Sequence, residues 1–198
     1  MVPDDQKLFA PDFVRGSTLL DGAFWFARVA YREAGRRGEA KLRHSVEVAR
    51  LLHEAGFEEE VVAAGLLHDV VEATASQLSQ VAERFGPRAA TLVEAMTEDD
   101  RIDSYEERKA EHRARVTAHG SRAAAIYAAD KLAKMPDLRA DPGSASEGQL
   151  AHYRQTVEAL SAGHPDLPFL GDLERELAAV AVQRRDRISD RGQAMPAH

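Results

Sequence analysis

The chain contains no cysteine, which excludes a disulfide framework, a thiolate metal site and a cysteine nucleophile. Aromatic residues make up only 6% of it, against a background rich in alanine, leucine, glutamate and arginine. That balance favours helix over sheet. Long apolar runs are also missing. The longest, Val61–Leu67 and Ala123–Ala129, are seven residues each, too short to span a bilayer. A positive charge excess is absent, since the net charge is −7. This argues against broad nucleic-acid binding but leaves room for a small anionic substrate on a local basic cluster. Met1-Val2-Pro3-Asp4-Asp5 lacks the basic start and apolar core of a signal peptide. The expectation is a soluble cytoplasmic protein with neither a membrane nor a nucleic acid as partner.

At 198 residues one domain with a sizeable core is expected. Residues 1–17 read as a flexible arm broken by Pro3, Pro11 and Gly16. Ser17 or Thr18 caps a first helix to about Gly35, and Arg36-Arg37-Gly38 reads as a basic turn. A second helix spans about Lys41–Ala55. A third spans Glu58–Ala73 and is apolar nearly all round, hence central. Two short helices follow, separated by Gly86-Pro87, then a polar loop at Glu98–Arg101 and a charged helix over Ser104–Ala118. The next helix runs from Arg122 to about Met135 and is ended by Pro136. Two more cover Ala145–Ala162 and Asp166–Arg187, and 188–198 reads as a disordered tail. Exposed amphipathic helices near the C-terminus allow a homodimer. No strand and no repeat is evident.

His68-Asp69 stands inside the apolar third helix. Burying a carboxylate beside an imidazole is costly unless something satisfies both. On a helix the two side chains are roughly 100° apart and can reach one ion. Glu72 lies on the same face, four residues after His68. Asp130 stands in the other apolar helix, where it either joins such a site or pairs with Lys134 or Arg122. His44 precedes His68 by 24 residues, a length that suits a helical hairpin returning to one point. Two His and two Asp make a site for a hard-to-borderline divalent metal. Such an ion polarises phosphoryl oxygens and activates water, and Glu72 is placed to orient or deprotonate that water. A hydrogen-bonded polar pair in the core is the competing explanation. His53 falls on the opposite face of its helix from His44. His112, His119, His152 and His164 read as surface residues in polar surroundings.

His44…His68-Asp69…Asp130 resembles the H…HD…D signature of the HD-domain metal-dependent phosphohydrolases. Leu66–Thr74 (LLHDVVEAT) and Val81–Thr97 (VAERFGPRAATLVEAMT) resemble the hydrolase domain of RelA/SpoT proteins and the small alarmone hydrolases. Glu106–Lys109 (EERK), Ala128–Leu138 (AADKLAKMPDL) and His152–Arg154 (HYR) continue the similarity in order. The resemblance implies an all-α, single-domain HD-type helical bundle over 18–187. It implies one divalent metal, manganese foremost, with iron, zinc, cobalt or magnesium as alternatives. It also implies removal of the 3′-pyrophosphate from guanosine tetra- or pentaphosphate by a stand-alone hydrolase. His44, His68, Asp69 and Asp130 match the family's metal ligands. Glu72 matches the first of an acidic pair that acts on the attacking water. Arg36 and Arg37 match basic residues that contact the nucleotide. Lys109 and Tyr153 complete the implied substrate set, and Lys134, on the same side of its helix as Asp130, is a further candidate to meet a substrate phosphate.

Three departures stand out. Ala73 replaces the second carboxylate of the acidic pair. Lys134 replaces an asparagine. Ala40-Lys41-Leu42 replaces the usual Pro-Tyr-Ile ahead of the first histidine. They predict reduced or redirected hydrolysis. Another nucleotide substrate, such as a nucleoside monophosphate or a nicotinamide dinucleotide phosphate, stays open, as does a weakly catalytic nucleotide-binding domain.

Overall fold

The computed structural model describes residues 10–33 and 35–193. Every regular element among them is helical, and their packing divides at Thr97 into two compact units. In the first unit a 3-10 turn at Asp12–Val14 leads into α1 (Thr18–Arg32), α2 (Arg36–Glu54), α3 (Glu59–Leu67), α4 (Val70–Ala73) and α5 (Leu78–Met96). α3 is the central rod. All seven residues from Val61 to Leu67 are buried, and the helix packs on α1, α2 and α5. A helix without a polar face is stable only when covered on every side. Ser17 caps α1 as the sequence suggests: its Oγ accepts from the Leu20 N–H at 3.2 Å and donates to Glu59 at 2.8 Å.

The close approach of α2 to α3 depends on Gly65. A methyl group there would meet Leu52 Cδ1 at 2.6 Å and Val48 Cγ1 at 3.5 Å. Leu52 is fully buried, so its Cδ1 methyl would have to shift within a packed core. Gly65→Ala is therefore expected to destabilise the fold by about 1–3 kcal/mol through overpacking, measured as a lower denaturation midpoint. An unchanged midpoint would mean that α2 and α3 can separate freely.

Several sequence expectations shift at the level of boundaries. Arg36 and Arg37 are not a turn; they open α2. The chain reverses at Gly35 instead, whose φ of +56° is readily available only without a side chain. The helix expected over Glu58–Ala73 breaks at His68-Asp69. His68 Nδ1 donates to the Gly65 carbonyl at 2.8 Å. In an unbroken helix that carbonyl would accept from the Asp69 N–H, so the imidazole competes with the backbone. The interruption read at Gly86-Pro87 is present within α5, with Gly86 at φ +87°.

The second unit holds α6 (Tyr105–His119), α7 (Ser121–Ala133), α8 (Met135–Ala140), α9 (Glu147–Gly163) and α10 (Leu170–Gln193). α7 is buried from Ala123 to Lys131 and packs on α6, α9 and α10. Its run of alanines lets the neighbouring helices come close. Pro136 does not terminate a helix. It sits in the first turn of α8, where a missing N–H costs nothing. Leu150, Leu173 and Val180 of α9 and α10 close this unit's core with Met135 of α8. α10 continues to Gln193, beyond the boundary expected at 187, and 194–198 lie outside the described residues. Of the arm expected at 1–17, residues 1–9 also lie outside them. Val14 is fully buried, and Phe13 stacks on His53 with ring centres 5.3 Å apart. No helix among the described residues is long and apolar enough to cross a membrane.

Candidate functional site

The first unit brings three of the candidate ligands together. His44 projects from α2, and His68 and Asp69 form the break between α3 and α4. The His44 and His68 rings meet edge to face, with centroids 5.3 Å apart. His68 is 1% exposed. The Gly65 carbonyl can only accept, so the hydrogen of this bond sits on His68 Nδ1. His68 Nε2 then faces Asp69 Oδ1 at 3.3 Å. A nitrogen lone pair and a carboxylate oxygen at that distance repel unless a cation, either a proton or a metal ion, lies beside them. Bonding one imidazole nitrogen to a backbone carbonyl and leaving the other for the ion is the usual support of a metal-binding histidine. Imidazole and carboxylate donors without sulfur fit a divalent transition metal.

The other oxygen of Asp69 is held by Lys41, whose Nζ lies 3.3 Å from Oδ2. Tyr31, buried behind this group, has its hydroxyl pushed well above the usual phenol range by burial and then by the Asp69 carboxylate. It stays a neutral phenol at any physiological pH. Glu72 stands on α4, one turn beyond His68, and is exposed. Arg36 and Arg37 are exposed in the first turn of α2.

In the second unit Asp130 is buried on α7, and the pairing with Lys134 that its spacing allows is present. Lys134 Nζ lies 2.6 Å from Oδ1, and Lys131 Nζ lies 2.6 Å from Oδ2. Burial works against the Lys131 ammonium, but Asp130 more than offsets it, so this lysine stays charged well above the ordinary range. Lys131 also lies 4.3 Å from the ring centre of Tyr127. Lys109 is engaged by Glu98 and lies over the Tyr105 ring at 5.4 Å. Tyr153 is buried, and its hydroxyl accepts from Gln149 Nε2 at 3.3 Å.

The reading of His112 and His152 as surface residues is wrong. Both are buried, at 3% and 4% exposure. His112 packs edge-on against Tyr127, and its Nδ1 lies 3.7 Å from Glu98 Oε1. His152 Nδ1 accepts from Arg113 at 2.7 Å. The missed signal was periodicity. His152 falls on the stripe formed by Leu150, Tyr153, Thr156, Val157 and Leu160, and His112 lies one turn before buried Val116. Polar neighbours in sequence concealed an inward-facing position.

These groups set an acid response. Burial, then the charges of Lys131, Lys109 and Arg113, push His152 down to about 3. It is neutral in the fold and takes up a proton on unfolding below the ordinary histidine value. Glu98 is held well below the usual carboxylate range by His112 and then by Lys109. Both folded pKa values are depressed, so both contributions are complete above the unfolded values and are lost as pH falls. Stability is expected to decline first below about pH 6.5, where His152 contributes, and further below about 4.5, where Glu98 joins. Denaturation midpoints of His152→Gln should lose the slope between those two values. If the native slope there persists in the variant, His152 is not its source.

A family model described as "HD domain" matches residues 23–158 and runs across both units. The human guanosine-3′,5′-bis(diphosphate) 3′-pyrophosphohydrolase is 36% identical over 142 residues, covering 68% of this chain and 78% of the human protein. A probable guanosine-3′,5′-bis(diphosphate) 3′-pyrophosphohydrolase of Synechocystis is 37% identical over 128 residues, or 62% of this chain. This match takes in 17% of the Synechocystis protein, and a corresponding match takes in 20% of the Aquifex aeolicus enzyme. The chain thus spans a fifth or less of these longer relatives. Among solved structures, protein lmo0812 of Listeria monocytogenes superposes with a TM-score of 0.63 at 32% identity, covering 69% of this chain and 94% of that one. A metazoan ortholog of SpoT that hydrolyses ppGpp superposes with a TM-score of 0.68 at 25% identity, covering 89% and 98%.

Proposed function

The chain belongs to the HD-domain family, and from that premise we propose that it is a metal-dependent phosphohydrolase that removes the 3′-pyrophosphate of guanosine tetra- or pentaphosphate. The observation that carries this reading is the agreement between the ligand residues and the relatives' activity. His44, His68, Asp69 and Asp130 all stand in a chain that covers 78% of the human pyrophosphohydrolase. The proposed ligand set is those four residues, and the proposed ion is manganese. His68, with Nδ1 fixed on Gly65, would offer Nε2, and the two aspartates would supply carboxylate oxygens. A divalent ion bound there supplies Lewis acidity toward a phosphoryl oxygen and toward water. Glu72, exposed on α4, accepts the proton of the attacking water. Arg36 and Arg37, in the first turn of α2, meet the nucleotide's base and phosphates. Lys109, anchored by Glu98, adds a cation for a phosphate, and Tyr153 is assigned a supporting place in the substrate pocket. The proposed setting is cytoplasmic.

A panel of nucleotides incubated with the protein and manganese tests this. Pyrophosphate released from guanosine tetraphosphate supports the reading. Ala73 favours one alternative, hydrolysis of a different phosphate ester, because the second water-handling carboxylate is absent. If the tetraphosphate survives while a nucleoside monophosphate or a nicotinamide dinucleotide phosphate is cleaved, that alternative replaces the first.

A further inference from the structure

Each carboxylate of the proposed ligand set is already held by lysine. Asp69 Oδ2 lies 3.3 Å from Lys41 Nζ, and Asp130 Oδ1 lies 2.6 Å from Lys134 Nζ. Lys41 and Lys134 stand where the resembling hydrolases carry other residues. They also differ from the third lysine, Lys131, in freedom. The Lys131 side chain is 7% exposed, whereas those of Lys41 and Lys134 are 41% and 38% exposed. A half-exposed ammonium on a flexible four-carbon stem can leave its carboxylate for another anion; an enclosed one cannot.

We propose that Lys41 and Lys134 couple metal binding to the arrival of a phosphate-bearing substrate, each lysine holding a ligand carboxylate until a phosphate group draws it away. The proposal rests on the hydrolase reading above. A carboxylate bonded to an ammonium is a weaker ligand, and the ammonium repels an incoming dication. A phosphate group near the ion reverses both effects. It neutralises the lysine in a charge-assisted hydrogen bond and frees the carboxylate oxygen. Metal and phosphate then strengthen each other's binding by the same factor, as linkage requires. Metal loading would follow substrate supply, a property that the departures at positions 41 and 134 give this chain.

Titration calorimetry of manganese binding, alone and with inorganic phosphate, tests the coupling once phosphate's own affinity for manganese is subtracted. For the native protein, phosphate is expected to tighten manganese about 5- to 150-fold. Lys134→Asn and Lys41→Met are each expected to bind manganese more tightly without phosphate and to lose much of the phosphate effect. Lys134→Arg, which keeps the charge, is expected to retain it. Native protein that binds manganese with no phosphate dependence overturns the coupling and leaves the hydrolase reading intact. So do variants that match the native protein in both titrations. Native protein that binds no manganese under either condition overturns both.

Discussion

His68→Ala is expected to remove more than about 99% of manganese affinity and to lower pyrophosphate release on the order of a thousandfold or more. The imidazole is 1% exposed, and its orientation is fixed by the 2.8 Å bond from Nδ1 to the Gly65 carbonyl. Without it, Asp69 still pairs with Lys41, and an ammonium supplies no Lewis acidity. The variant also leaves a cavity at the end of α3, so a moderate loss of stability accompanies it. Thermal denaturation beside calorimetry separates the two effects. A folded His68→Ala protein that binds manganese and hydrolyses substrate normally would remove His68 from the ligand set.

Ala73→Asp is expected to raise hydrolysis of guanosine tetraphosphate by about a hundredfold or more. A positioned general base is worth roughly 10²- to 10⁴-fold, and of the proposed acidic pair the native chain carries a carboxylate only at Glu72. Ala73 is half-buried at the last residue of α4, and Thr74 ends the helix with its Oγ1 donating to the Val70 carbonyl at 2.7 Å. The Thr74 bond does not involve the side chain at position 73, so the helix end does not depend on it. Steady-state kinetics read the gain. If kcat/KM toward the tetraphosphate is unchanged, Ala73 is not the missing half of a catalytic pair, and its place in a site for another substrate gains weight.

Much of this site was legible from the residues themselves. A His-Asp pair inside Val61–Val71 had to be buried or paired, and the structure buries His68 beside Asp69 and packs His44 against it. Asp130, directly after the apolar run Ala123–Ala129 of α7, is buried for the same reason. What the pattern could not provide was the break at His68, because periodicity continues unchanged through a helix whose carbonyl has been taken by a side chain. The reversal at Gly35 was displaced in the same way: two arginines read as polar punctuation, although they are good helix formers following a glycine with positive φ. Lys41 escaped notice as a partner of Asp69 because the two are 28 residues apart and no local rule joins them. His112 and His152 were misread for a simpler reason. A histidine among charged neighbours in sequence can still face inward, and only the helical stripe around it reveals which.

The most direct test is pyrophosphate release from guanosine tetraphosphate by the manganese-loaded native protein, beside the same protein with its metal chelated and beside Asp69→Asn. Release by the first and by neither of the others is the expected result. An intact tetraphosphate in all three, while manganese is bound stoichiometrically by the native protein, would contradict the assigned activity.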